Sequence, residues 1–171
     1  MACFESENEL RSSFEILVWL KERRNMKTII VYFTFGGATQ KEAGRLAAEL
    51  NAPLYRVREA HNRSLLGAFI PGGFLAMHRK TVAIQPLDID LTNYDRIIIG
   101  CPVWAGYPAP AFNAIVEWLP SGKEVELFLC SGGSGTQKSE AGTKALIEQK
   151  GCTVVSYHDI HTGVQPGKMK K

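Results

Sequence analysis

Apolar positions along the chain fall into two rhythms. Continuous runs such as Ile29-Ile30-Val31-Tyr32-Phe33 and Ile97-Ile98-Ile99 have the pattern of strands buried on both faces, whereas spacing every three or four residues marks helices packed on one side. The runs predict strands over 27–33, 53–57, 95–101, 125–130 and 152–157. Between them the helical spacing predicts a helix over about 40–50, one entered through Pro108 and Pro110 and bearing Phe112, Ile115, Val116 and Leu119, and one over about 136–150. Residues 63–80 read as two short helical pieces meeting at Pro71-Gly72-Gly73. Ahead of the first strand, Leu10, Phe14, Leu17 and Val18 predict one further helix, so residues 1–25 read as an extension on a body of 26–171. Thr39 and Glu42 have the spacing of a capping box, which would start the helix after the first strand.

Strands that alternate with helices build a parallel sheet through right-handed crossovers. In such sheets ligands bind beyond the carboxyl ends of the strands, and that edge receives all three glycine-bearing loops of this chain.

Composition narrows the reading. The 171 residues suit one domain with a full core of its own. No apolar run reaches the ~18 residues of a membrane span, and the Lys and Arg residues behind the net charge of +3 are scattered rather than gathered into a nucleic-acid-binding stripe. Cys3, Cys101, Cys130 and Cys152 form no C-x-x-C pair, and His61, His78, His158 and His161 lack ligand spacing, so neither a metal site nor a disulfide framework is expected. The acidic opening is unlike an export signal. The expectation is a protein of the cytoplasm that spans no membrane.

Candidate chemistry lies in the loops. Thr34-Phe35-Gly36-Gly37-Ala38-Thr39 joins two glycines and two hydroxyls to a helix amino terminus, a place that favours a phosphate; an ordinary tight turn has the same residues. Trp104 and Tyr107 stand in a second loop, 102–107, where a planar ligand could stack on them, or where Trp104 could pack on its own domain. The third loop is Ser131-Gly132-Gly133-Ser134-Gly135.

Taken together these loops resemble the flavodoxin family, over about residues 27–160. The phosphate loop matches at Thr34, Gly37 and Thr39, with Gly36 and Ala38 in place of a hydroxyl residue and an Asn, and the family's second loop is present as Pro102-Val103-Trp104-Ala105-Gly106. The resemblance implies a doubly wound five-stranded parallel sheet of order 2-1-3-4-5 with FMN as cofactor. It implies that Thr34 to Thr39 hold the phosphate and that Trp104, with the backbone of Val103 to Gly106 and Tyr107 beside it, meets the isoalloxazine. Ser131, Gly132, Gly133 and Gly135 would face its pyrimidine edge. It further implies an electron carrier or a small NAD(P)H-dependent flavin or quinone reductase, served by a redox partner protein or a small donor. The third loop lacks the second stacking aromatic of many relatives, which points to one open flavin face; a binding module that has lost FMN is the competing reading. The family's closing helix is short or missing after the fifth strand, leaving a sheet face for the amino-terminal helix of the same chain or of a second subunit to cover.

Overall fold

The computed structural model describes residues 26–60, 72–133 and 135–163; the expectations for residues 1–25, 61–71, Ser134 and the carboxyl-terminal tail lie outside them. Strand β1 (Thr28–Tyr32) is followed by α1 (Ala38–Leu50) and β2 (Leu54–Arg56). Residues 72–77 are helical. Then come a short 3-10 turn (Leu91–Asn93), β3 (Arg96–Trp104), β4 (Tyr107–Pro108), α2 (Ala111–Glu117), β5 (Glu124–Ser131), α3 (Glu140–Glu148) and β6 (Thr153–His161).

Five strands are parallel in the order β2-β1-β3-β5-β6, the doubly wound order expected. The continuous apolar runs explain why: each central strand buries both faces. On one face Ile29, Val31, Ile97, Ile99, Leu127 and Leu129 pack with Phe112, Ile115 and Ile147 of α2 and α3. On the other, Ile30, Tyr32, Ile98, Phe128 and Cys130 pack with Ala43, Leu46 and Ala47 of α1. Beside Phe128 on that second face the neighbouring strand carries Gly100, where a Cβ would run into the Phe128 ring.

Three boundaries differ from the sequence expectation, each for a physical reason. Strand β3 does not end at Cys101 but runs to Trp104. Pro102 is tolerated there because β1 has already ended opposite Gly100, so its missing N–H breaks no ladder, while Pro102 still pairs with Cys130 of β5. Residues 102–107 are therefore no open loop. Val103 and Trp104 pair antiparallel with Pro108 and Tyr107, and Ala105 (φ 52°) and Gly106 (φ 83°) make the two-residue hairpin turn, both at the positive φ that a type I′ turn demands. Strand β6 reaches His161 rather than Tyr157 because it stays paired with β5 to Ser131; as an edge strand it accepts His158 and Asp159, which interrupt the apolar run. Finally, α3 starts at Glu140 instead of about residue 136, after a turn in which the Thr136 carbonyl accepts from the N–H groups of Ser139 and Glu140.

Candidate ligand site at the carboxyl edge of the sheet

The first loop leaves β1 at Phe33 and enters α1 through Gly37, which takes the cap position in a left-handed conformation (φ 88°) with no side chain capping the helix. This overturns the capping box. Thr39 is the second residue of α1, not its cap, and Glu42 pairs with Arg45 at 2.7 Å instead of reaching back. Thr34 closes the loop by accepting the Gly37 N–H at 3.0 Å, and its hydroxyl proton is left to donate.

Two consequences bear on binding. The first intrahelical bond of α1 comes from Lys41, whose N–H reaches the Gly37 carbonyl at 3.0 Å, so the preceding N–H groups of the first turn have no carbonyl one turn back and stand at the positive end of the dipole. The Thr39 hydroxyl is buried, 1% exposed, and its Oγ1 has no hydrogen-bond partner. A buried hydroxyl without a partner is expensive, and it implies something that completes it. Cys130 lies close enough for Thr39 to temper its thiol, but burial dominates and holds that pKa at about 11. A weak thiol is not an adequate substitute for an oxygen partner.

Trp104 at the end of β3 is half-buried and meets Phe35 edge-on at 5.7 Å and Phe33 at 6.3 Å. Phe35 thus joins the first loop to the hairpin, and two perpendicular rings fix the indole plane. The hairpin is joined to the third loop in turn. Ser139 donates its hydroxyl to the Gly106 carbonyl at 2.8 Å, and a Cβ on Gly106 would lie 3.9 Å from the Gly135 carbonyl. Ser131 donates to the Gly133 carbonyl at 3.3 Å. Thr34 to Thr39, Pro102 to Tyr107, Ser131 to Gly133 and Gly135 accordingly converge on one rim at the carboxyl ends of β1, β3 and β5.

No protein-family model matches the sequence, and no curated protein matches it. Solved structures do. A flavoprotein from Lactobacillus acidophilus in complex with FMN superposes with a TM-score of 0.64 at 25% identity, covering 78% of this chain and 93% of that one. The apo-form of the flavoprotein from the same organism gives 0.61 at 26%, over 85% and 98%, and a candidate flavoprotein from Bacteroides eggerthii gives 0.70 at 23%, over 80% and 89%. The chain is flavodoxin-like.

Within the flavodoxin-like frame, several residues that shape the rim escape sequence reasoning. Asp159 of β6 accepts from the Thr136 N–H at 2.8 Å and from its hydroxyl at 2.6 Å, and Tyr157 lies 2.6 Å from the same hydroxyl. Burial is the first cause that raises the Tyr157 phenol above its usual range, so it stays neutral. Arg79 sets its guanidinium 5.6 Å from the centre of the Tyr107 ring. Nothing in the spacing of these residues announces them; they act across 20 residues or more of sequence. Cys101 and Cys130 belong to opposite faces of the sheet, and burial raises both thiols, so neither is held as a reactive thiolate.

Proposed function

We propose that this chain binds FMN at the carboxyl edge of the sheet and transfers electrons with it, as a carrier or as a small reductase. The observation that carries the reading is the buried, partnerless Thr39 hydroxyl in the uncapped first turn of α1, beside Gly37, where a Cβ would meet nothing within 4 Å. A phosphate there would accept from Thr39, Thr34 and the free N–H groups of that turn, which is the chemistry of an anion at a helix amino terminus. Similarity to a protein solved in complex with FMN supports the same cofactor.

FMN supplies the redox chemistry when bound, and the residues of this chain bind and orient it. Trp104, braced by Phe33 and Phe35, offers an aromatic wall to the ring, and the turn Ala105-Gly106 with the third loop offers backbone groups to its edge. The third loop carries no aromatic residue, so the ring would keep one face accessible to a nicotinamide, a quinone or a redox partner protein. Free thiols at Cys101, Cys130 and Cys152 suit a reducing cytoplasm.

The test is the visible spectrum of the protein after excess FMN is added and the unbound part removed, with Trp104→Ala and Thr39→Val as controls. A retained and perturbed flavin band, weakened in both controls, is the expected result, and bleaching by NAD(P)H then separates reductase from carrier. Folded protein that retains no flavin would sink the redox reading and leave a flavodoxin-like binding module.

A further inference from the structure

We propose that Ser139 is a positioning residue for the ligand-facing turn Ala105-Gly106, holding it in one conformation before ligand arrives; this rests on the FMN reading above. Ser139 stands immediately before α3, where a serine ordinarily accepts from an N–H of the first helical turn. Here it makes no cap bond. Its hydroxyl instead donates to Gly106, 33 residues away, at 2.8 Å, with the Thr136 carbonyl a second acceptor at 3.2 Å. Ser139 itself is 1% exposed, while Gly106 is half-buried, so the donor is shielded from water on its own side of the bond.

The anchor is itself held from three sides. The Ser139 carbonyl accepts from the Thr143 hydroxyl at 2.8 Å, from the Thr143 N–H at 2.8 Å and from Arg79 Nη2 at 3.1 Å. The same guanidinium lies over Tyr107, the residue that follows Gly106. Behind Ser139 stands Thr136, which accepts the Ser139 N–H at 2.8 Å and is clamped by Asp159. Both Gly106 and Tyr107 are thus gripped from one buried point that β6 fixes in turn.

The turn needs such a grip. Ala105 adopts a positive φ of 52°, a conformation in which the Cβ of an L-residue crowds the following carbonyl, and a strained backbone persists only where its surroundings over-determine it. With the Gly106 carbonyl engaged, the backbone groups that remain are presented in a fixed array, and the entropy of ordering them is not charged to ligand binding. Removing the hydroxyl releases the turn, and FMN affinity should fall about fivefold to tenfold, the worth of one hydrogen bond.

Ser139→Ala and Ser139→Thr in the full chain, measured two ways, test this. In the apoprotein, hydrogen exchange of the amides of 104–107 should speed up in Ser139→Ala while those of 140–148 keep their wild-type rates. In titrations with FMN the dissociation constant should rise by the stated factor, with a shifted flavin band, and Ser139→Thr should restore both readouts. Unchanged exchange at the turn, faster exchange spread equally over α3, or a wild-type dissociation constant in Ser139→Ala overturns the proposal. Wild-type protein that takes up no FMN overturns the functional reading and the ligand half of this one, while the apoprotein exchange still decides the anchor.

Discussion

On the proposed function, Thr39 both weakens the fold and equips it. Its hydroxyl is buried without a partner, which costs about 1–3 kcal/mol relative to a paired or apolar group. Thr39→Val keeps the shape and removes the orphan. The apoprotein should therefore gain about 1 kcal/mol, a rise of roughly 2–4 °C in melting temperature, while FMN affinity falls; calorimetry and an FMN titration on the same variant check the two opposite signs. A loss of stability would mean that the hydroxyl is satisfied in solution. The buried thiols give a second expectation at this scale. Cys101 and Cys130, held protonated by burial, should resist a thiol reagent in native protein at pH 8 and react only on unfolding, because the thiolate is the nucleophile.

At the scale of elements the sheet depends on one close approach. Strands β3 and β5 lie in register with Gly100 opposite Phe128, and the Phe128 ring occupies the space a side chain at position 100 would need. Gly100→Ala should cost about 2–3 kcal/mol through overpacking, seen as a melting temperature lower by roughly 5–10 °C; a smaller shift would mean that Phe128 swings away freely. The hairpin β3–β4 has the opposite character. Its two paired residues on each side are too few to set its conformation, so its geometry depends on the contacts of Phe35, Arg79 and Ser139.

Over the whole molecule, charge and protonation set the working conditions. With a net charge of +3, the chain opposes an electron added to a bound flavin less than an acidic protein would. On the proposed FMN binding, the second reduction step should thus be less negative than in an acidic protein of the same fold, the difference shrinking at high ionic strength as salt screens it; a redox titration at two salt concentrations reads both. The buried thiols bear on stability at alkaline pH. Folding raises the Cys130 pKa from 9.0 to about 11, and Cys101 and Tyr157 move the same way. A raised pKa means that the folded state holds its proton more tightly, so this stabilisation is whole below the unfolded value and is lost as pH climbs towards the folded one. Denaturant titrations should show stability falling between pH 9 and pH 11, with a shallower slope in the double variant Cys101→Ala, Cys130→Ala.

The sequence by itself determined the sheet and the rim. Continuous apolar runs at Ile29 to Phe33, Ile97 to Ile99 and Leu127 to Cys130 can be buried only on two faces at once, and alternation with helices then forces parallel order and places Thr34, Trp104 and Ser131 at one edge. These are local and periodic signals. What the tertiary structure alone decided is where strands and helices stop and what fixes the rim. Pro102 stays in β3 because β1 has ended beside it, and Gly37 rather than Thr39 caps α1 because only glycine adopts φ 88° without crowding. Ser139 turns from its own helix to Gly106 because folding brings that carbonyl within 2.8 Å. Each depends on a neighbour distant in the chain, and no residue pattern records a neighbour.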